Sequence, residues 1–489
     1  MLPLGKVTLS TDSQSPLYRQ LYAKIKDLIE SGQISRGGRL PATRELAGQL
    51  GLNRTTVSAA YELLENEGLI TGHVGRGSFV RGTESTPGLD WRDILPQSPA
   101  AAPAAASTAQ ISFAASRPSE LLFPLEEFRA TCEEVIHGPD AQTILQLGSP
   151  SGYAPLRRYL IEQSRAEGVA HDPDDILITS GVQQAFDLLQ RTLVANGETV
   201  LIEDPVYSGL RNVFARAGAR IVGVPVGPNG LELDALERAI ARERPRLLVV
   251  TSNFQNPTGA TLPLASRKNI LSMAQRGGVI IIENDIYGPL CYEGDPIAPI
   301  KHLDDSGHTV LLRSFSKLAF PGLRVGWIIA PRALMEKLTE AKQLSDLHTD
   351  QLSQAVLLRF AESERLENHR KLMLTAGRER LRAALGACEK YLPAGASFTR
   401  PRGGMNLWVR LPQPLDAGEL LPRAEREGVT YTPGRFFAVS RVEPSALRLS
   451  FAGLAPGRIK SGITTLGRIF QEEFERTRSQ SRAELPAMV

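Results

Sequence analysis

The feature that most constrains the fold is a series of short apolar runs in the middle of the chain, most of them separated by amphipathic helical segments. The runs are ILITS at 176–180, TVLIE at 199–203, LLVVTS at 247–252, GVIIIEN at 278–284 and TVLLRS at 309–314. Such runs are typical of parallel strands that helices cover on both faces. We therefore expect an α/β domain with a mainly parallel central sheet, whose ligand-binding residues collect where the strands end.

A change in composition divides the chain. Residues 83–110 are rich in Ala and Pro and show neither helical nor strand periodicity. An Ala-rich helix over 100–109 is the alternative, but Pro99 and Pro103 disfavour it. We interpret this stretch as an extended linker between an N-terminal module, residues 1–82, and a larger module, residues 111–475. A polar tail, residues 476–489, follows.

Composition excludes several classes of protein. The 489 residues carry a formal net charge of +3, and no apolar run reaches the roughly 18 to 20 residues that a membrane-spanning helix needs. The N-terminus has no basic segment followed by an apolar core, so it does not resemble a secretion signal. Three distant cysteines, Cys132, Cys291 and Cys388, have no paired metal-ligand spacing. We expect a cytoplasmic protein with reduced thiols and no metal site.

The N-terminal module has the pattern of a helix-turn-helix followed by a hairpin. Residues 17–31 place apolar side chains on one helical stripe. The segment TRELAGQLGLNRTTVSAAYELLENEGLI, residues 43–70, then predicts two helices around a turn at Gly51, with Asn53 as a cap. In this architecture the second helix enters the DNA major groove, which places residues 53–56 at base edges and phosphates. The hairpin tip carries Arg76 between two glycines, and this lack of bulk suits close approach to a phosphate backbone.

On these motifs, residues 16–81 resemble the winged helix of GntR-type regulators. The pattern PATRELAxxLGLNRxTVxxAY…GRGSFV covers the whole module. The resemblance implies that operator DNA is a partner and that the contacts come from Arg44, from the recognition-helix residues Arg54, Thr55 and Thr56, and from the wing residues Arg76 and Gly77. Winged helices also serve in protein contacts, and ten basic against seven acidic residues in 1–82 do not decide between the two. Since one such module makes few phosphate contacts, we expect a dimer to be needed for a specific site.

A lysine with two flanking hydroxyls lies at the end of the last apolar run. Ser314, Ser316, Lys317 and Arg324 fall within eleven residues. An amine in this setting can form a Schiff base with an aldehyde, while the hydroxyls and the guanidinium hold a phosphate. A surface lysine and a structural arginine are the alternative, so other segments must be weighed with them.

Further segments at strand ends fit the same chemistry. Asp285 can pair with a protonated pyridine nitrogen, which pyridoxal 5'-phosphate (PLP) needs as an electron sink. Tyr287 and Asn256 are suited to the phenolic oxygen of that ring, and Tyr207 offers an aromatic face. The turn Ser180-Gly181-Val182 opens a helix and predicts an anion site for the phosphate. Together these residues predict a PLP site.

On these motifs, residues from about Ile111 to Phe474 resemble fold-type I PLP enzymes of the class I and II aminotransferase group. The resemblance implies a large domain with a smaller C-terminal subdomain. It implies Lys317 as the Schiff-base lysine, Asp285 at the ring nitrogen, Asn256 and Tyr287 at the ring oxygen and Tyr207 on the ring face. The phosphate would lie against Ser180, Gly181, Val182, Ser314, Ser316 and Arg324. Arg448 matches the arginine that grips an α-carboxylate, although a structural ion pair is the alternative.

One position departs from this family's pattern. The family usually carries a tyrosine where this chain has Leu147, and that tyrosine reaches the phosphate of the neighbouring subunit. The resemblance therefore does not extend to this cross-subunit contact.

The combination of modules resembles the MocR branch of GntR regulators over nearly the whole chain. It implies a PLP-dependent transcriptional regulator, a homodimer that senses PLP itself or an amino acid or amine through Schiff-base exchange at Lys317. Two alternatives stay open: a working aminotransferase in which the winged helix has minor importance, and a DNA-binding protein with a vestigial pocket.

Overall fold

The structure is a computed structural model of the 489-residue chain, and it describes residues 9–10, 15–35, 37–73, 77–81, 94 and 109–483, with side chains as far as residue 479. The chain divides into two compact units between residues 99 and 100. The predicted linker therefore lies almost entirely outside the described residues, and so does Arg76. Within the described part of the chain, no helix is long and apolar enough to cross a membrane.

The N-terminal unit is a three-helix bundle with a hairpin. Its elements are α1 (Leu17–Glu30), α2 (Thr43–Leu50), α3 (Arg54–Asn66) and the antiparallel strands β1 (Ile70–His73) and β2 (Gly77–Val80). Gly51 ends α2 with φ at +65°, a left-handed conformation that glycine adopts without strain. Asn53 caps α3, because its Oδ1 accepts a hydrogen bond from the Thr55 amide at 3.2 Å. The predicted helix-turn-helix with a wing is confirmed.

Tyr61 ties α3 to the loop that precedes α2, since its buried hydroxyl donates to the Pro41 carbonyl at 2.9 Å. Tyr61→Phe should lower the local unfolding free energy by about 1 kcal/mol, because the partly buried Pro41 carbonyl loses its donor. Hydrogen exchange of peptides from residues 43–66 in the full-length protein should then be roughly fivefold faster. Tyr18→Phe is the control, since the Tyr18 hydroxyl has an exposed contact within α1; equal exchange in both variants would contradict the assignment.

An eight-stranded mixed sheet forms the centre of the C-terminal unit. Its strands are β4 (Asp174–Thr179), β5 (Thr199–Asp204), β6 (Arg220–Gly227), β7 (Gly230–Leu231), β8 (Leu247–Val250), β9 (Ile280–Asn284), β10 (Thr309–Ser314) and β11 (Gly326–Pro331). Their order is β4-β11-β10-β9-β8-β5-β6-β7. The pairs β6–β5, β5–β8, β8–β9 and β9–β10 are parallel, and β11 runs antiparallel to both neighbours. All five apolar runs of the sequence are strands of this sheet.

Helices cover both faces of this sheet. They are α4 (Leu125–Ile136), α5 (Ala141–Ile144), α6 (Ala154–Ala166), α7 (Val182–Leu193), α8 (Ser208–Arg216), α9 (Leu233–Glu243), α10 (Leu264–Gly277), α11 (Arg332–Asp346) and α12 (Gln351–Glu362). On one face, α7, α8 and α11 pack on Ile282 and Leu312. On the other, α9 and α10 pack on Ile281, while α6 and α12 pack on Leu311. This alternation along β9 and β10 determines which polar residues face the site.

A smaller subdomain completes the C-terminal unit. A four-stranded antiparallel sheet has the order β12 (Ser397–Phe398), β13 (Asn406–Arg410), β16 (Ala446–Ser450), β15 (Thr432–Pro433). Strand β14 (Val429–Thr430) pairs with β3 (Ile111–Ser112). Three helices accompany these strands: α13 (Glu364–Tyr391), α14 (Ala417–Arg426) and α15 (Pro456–Ala483). The predicted large domain with a smaller C-terminal part is confirmed, and α15 extends into the segment interpreted as a polar tail.

Candidate functional site

A cavity of ≈ 530 Å³ lies where the parallel strands of the central sheet end. Loops that follow β4, β5, β8, β9 and β10 bring side chains distant in sequence to this one place, as expected at the carboxyl edge of a parallel sheet. Among the sequence-predicted residues, the lining includes Val182, Tyr207, Asn256, Tyr287, Ser314, Ser316, Lys317, Arg324 and Arg448. The structure thus brings together nine of the predicted residues.

Lys317 enters the cavity from a short 3-10 helix at the end of β10. Ser314 caps this turn by accepting a hydrogen bond from the Ser316 amide at 3.0 Å. The Lys317 Nζ donates to the Ser116 carbonyl at 2.7 Å and lies 5.4 Å from the centre of the Tyr287 ring. The amine therefore lies between a ring face and a neutral acceptor that a ligand can replace.

The opposite end of the cavity is built to receive an anion. Helix α7 begins there, and although the Gln184 amide donates to the Gly181 carbonyl at 3.2 Å, the amides of Val182 and Gln183 have no backbone partner among the described residues. Gly181 precedes it with φ at +78°, and a Cβ at this position would overlap the Arg324 guanidinium. Ser314 and Ser316 share a hydrogen bond of 3.0 Å at the same end. The lack of a side chain at residue 181 leaves Arg324 room beside the helix N-terminus.

Ser180 and Gly181 do not line the cavity with side-chain atoms. The Ser180 hydroxyl lies 3.3 Å from the Thr349 hydroxyl and 3.5 Å from an Asp346 carboxylate oxygen. Gly181 shapes the site through its conformation. The contacts with phosphate that the sequence predicts for Ser180 and Gly181 would therefore come from the main chain and not from side chains.

Asp285 requires a correction, because its carboxylate is not among the groups that line the cavity. It lies on the opposite face of the sheet edge, where Oδ1 accepts from the Asn253 amide at 2.8 Å and Oδ2 accepts from Arg313 at 3.2 and 3.3 Å. Arg313 also pairs with Glu167 at 2.6 Å. Burial alone would lower the pKa of Arg313, but these two carboxylates raise it. Asp285 is thus part of a structural ion-pair network.

Asn284, which precedes Asp285 in the chain, has its side chain on the cavity side of β9. It lines the cavity together with Thr251, and its Nδ2 lies 3.4 Å from the Thr251 hydroxyl. The buried Oδ1 has no hydrogen-bond partner among the described residues. Strand periodicity could have identified this residue, since residues 282 and 284 share one face of β9 and residues 283 and 285 share the other.

Arg448 is a buried cation surrounded by neutral groups. It donates to Asn256 Oδ1 at 3.0 Å, to the Ala114 carbonyl and to Thr432 Oγ1 at 3.4 Å, and its guanidinium lies 4.9 Å from the centre of the Phe437 ring. Its Nε has no partner among the described residues. Burial lowers its pKa to about 10, so it stays protonated near neutral pH. The recorded contacts do not include the carboxylate that a structural ion pair would require.

Several lining residues were not found by sequence reasoning. Ala114 and Ser116 supply backbone carbonyls from a segment about 200 residues before Lys317, and Thr432 and Phe437 come from the small subdomain. Carbonyl groups carry no residue-type signal, so no motif could have indicated the first pair. Leu147, the departure noted above, is 74% exposed.

In the N-terminal unit, Arg44, Arg54 and Thr55 are exposed, and Thr56 is half-buried. Gly77 begins β2 with φ at +100°, and a Cβ there would lie 3.1 Å from the Arg39 Nε. Arg39, which sequence reasoning missed, is thus a further exposed cation beside the hairpin.

Two protein families match the chain. Residues 111–466 match the family "Aminotransferase class I and II", and residues 17–80 match "Bacterial regulatory proteins, gntR family". The first match covers more than half of the chain, so the chain belongs to the class I and II aminotransferase family, whose members bind PLP.

The C-terminal unit is similar to the crystal structure of the α-aminoadipate aminotransferase LysN of Thermus thermophilus, solved with N-(5'-phosphopyridoxyl)-L-leucine. The TM-score is 0.69 at 36% identity, over 75% of this chain and 93% of that one. Over nearly full length, the chain is 31% identical to the uncharacterised HTH-type transcriptional regulator YdfD of Bacillus subtilis, covering 94% of this chain and 97% of the relative. It is 28% identical to MocR of Rhizobium meliloti, a candidate rhizopine catabolism regulatory protein, covering 95% and 96%. The chain therefore belongs to the MocR-type GntR regulators, in which a GntR helix-turn-helix domain precedes a class I and II aminotransferase domain.

Proposed function

We propose that this protein is a DNA-binding transcriptional regulator that uses PLP and senses either PLP itself or an amino compound at Lys317. The observation that carries the proposal is the cavity, in which Lys317 and Arg448 both donate to carbonyls of the segment 114–116. A ligand that replaced these contacts would release this segment, which supports a link between ligand binding and a change in conformation.

The residues present fit PLP on three counts. The N-terminus of α7 with Arg324, Ser314 and Ser316 suits a phosphate, the Lys317 amine suits an aldehyde, and Asn256 and Tyr287 suit a phenolic oxygen. When bound, PLP supplies a carbonyl carbon that an amine can attack. Tyr207 would cover the PLP ring with one face of its side chain, and because Tyr207 is 47% exposed, its other face is open to solvent.

Arg448 favours an amino acid among the amino compounds that could be sensed. Among the described residues, the buried Arg448 guanidinium has no carboxylate partner. A planar carboxylate that accepts two hydrogen bonds is therefore the ligand group that would stabilise this cation most. Asn256, already bonded to Arg448, would orient it. A carboxylate here would also compensate the cost of a buried charge.

We further infer a homodimer that binds operator DNA through two helix-turn-helix domains. Arg44, Arg54, Thr55, Thr56, Arg76 and Gly77 are the proposed contacts, with Arg39 added from its position beside β2. Two paired domains would provide the phosphate contacts that one domain lacks.

An assay of DNA binding by the full-length protein tests this function. A fragment from upstream of the protein's own gene would be titrated with protein, alone, with PLP, and with PLP plus each of the common amino acids and amines. We expect PLP or one amino compound to change the affinity or the footprint, and Lys317→Ala to remove that change. Identical footprints under all conditions would refute the proposal.

A second candidate function is PLP-dependent transamination of an amino acid. The similarity to a solved α-aminoadipate aminotransferase supports it, and Lys317 and Arg448 are both present in the cavity. Release of an oxo acid from PLP-loaded protein and an amino acid would establish it.

Gly181→Ala should weaken PLP binding by roughly tenfold. The added Cβ strains a backbone with φ at +78° and ψ at 169°, a combination that only glycine adopts readily and that costs other residues about 1–3 kcal/mol, and it displaces Arg324 from the anion end. Gly197→Ala is the matched control, because Gly197 also has a positive φ, +84°, but open space around its Cα. Fluorescence titration with PLP measures both, and equal affinities would contradict the role assigned to residue 181.

A further inference from the structure

The geometry points to Asn284, a neutral amide, as the group that faces the ring nitrogen of PLP, so that this protein holds the pyridine unprotonated and has a weak electron sink. The inference rests on the proposed function, since it requires PLP in the cavity. It makes Asn284 the residue that favours sensing an amino compound over converting it.

The strand register excludes Asp285 from this role. Ile282 faces the layer of α7, α8 and α11, and Asn284, two residues on, faces the same side and lines the cavity. Ile281 faces α9 and α10, and Glu283 on that same side accepts hydrogen bonds from the Ile300 and Lys301 amides at 2.8 and 2.9 Å. Asp285 follows this second series, so its carboxylate points away from the cavity.

Asp285 is also held where it lies. Its two oxygens accept from Asn253 and Arg313, and the side chain is almost fully buried. Rotation into the cavity would leave the Arg313 guanidinium with Glu167 alone and break both hydrogen bonds. Loss of a buried charged partner is strongly unfavourable.

Asn284 has hydrogen-bonding capacity left for a ligand. Its Nδ2 carries two hydrogens and makes one contact, with the Thr251 hydroxyl at 3.4 Å, while its buried Oδ1 has no partner among the described residues. The second Nδ2 hydrogen can be donated to a neutral pyridine nitrogen, which accepts a hydrogen bond, and the amide brings no negative charge. A carboxylate would stabilise the protonated ring by Coulomb attraction, whereas an amide would not. Without that attraction, burial disfavours the charged form of the ring and leaves the neutral pyridine favoured.

The chemical consequence concerns the α-hydrogen of a bound amino acid. If PLP were bound, a protonated ring would supply a sink for the negative charge that removal of this proton develops, and a neutral ring beside Asn284 would supply a weak one. Schiff-base exchange at Lys317 does not need this charge stabilisation. The site is therefore suited to reversible capture of an amino compound.

The test is nitrogen NMR of the full-length protein loaded with PLP that carries ¹⁵N in its ring. We expect a neutral-pyridine shift in the wild type, a pyridinium shift in Asn284→Asp, and the wild-type shift in the matched variant Asp285→Asn. Asn284→Ala should retain the neutral shift.

The outcomes separate this inference from the proposed function. Bound PLP with a pyridinium shift in the wild type, or a shift changed by Asp285→Asn, overturns the assignment to Asn284 and leaves the proposed function standing. Failure of the wild type to bind PLP refutes the proposed function and the inference with it. If a variant fails to fold, the wild-type spectrum alone decides the point.

Discussion

Lys317→Ala should abolish the visible absorbance of the PLP-loaded protein and any response of its DNA binding to amino compounds. Among the described residues that line the cavity, Lys317 carries the single primary amine. Without it, the aldehyde of PLP has no protein nitrogen to attack it, and retention rests on the phosphate and ring contacts alone. Absorbance spectra taken before and after gel filtration measure both the Schiff base and the retained PLP.

Lys337→Ala is the control, because Lys337 is exposed on α11 and pairs there with Glu340 at 3.0 Å. It should leave the spectrum unchanged. A visible band of wild-type intensity in Lys317→Ala would show that another amine holds PLP and would refute the assignment of Lys317.

Much of the fold followed from patterns that depend on local sequence. The apolar runs are buried strands because their residues contact helices on both faces, and the stripe of residues 17–31 is α1 because Leu21 and Ile25 pack in the small core. Lys317 and Arg324 could be located because a lysine between hydroxyls and a nearby arginine carry a chemical signal at a strand end.

The assignment of Asp285 shows where pattern reasoning failed. The sequence predicts Asp285 because a carboxylate is the stronger partner for a protonated pyridine nitrogen, but residue type carries no information about strand face. The period of two along β9 determines the outcome instead, and it places Asn284 toward the cavity. The sequence could not predict the carbonyls of Ala114 and Ser116 as acceptors for Arg448 and Lys317. These carbonyls are positioned by the pairing of β3 with β14, and residue type does not reveal that pairing.

The double variant Arg44→Ala/Arg54→Ala should weaken operator binding by roughly 100-fold or more. Both arginines are exposed, one in α2 and one at the start of α3, beside the Asn53 cap. A dimer loses four guanidinium contacts, each worth about 1–3 kcal/mol when it reads a base. If the lost contacts are to phosphates, the slope of log affinity against log salt should become less steep by about 0.9 per contact.

Fluorescence anisotropy with a labelled operator fragment, at several salt concentrations, separates these two kinds of contact. A specificity role would lower affinity for the operator more than for random DNA, whereas a phosphate role would lower both equally and flatten the salt slope. Arg19→Ala is the control, because Arg19 is exposed on α1 and contacts Tyr18. The PLP spectrum should stay unchanged in all three proteins. Undiminished operator affinity in the double variant would refute α2 and α3 as the DNA-contacting helices.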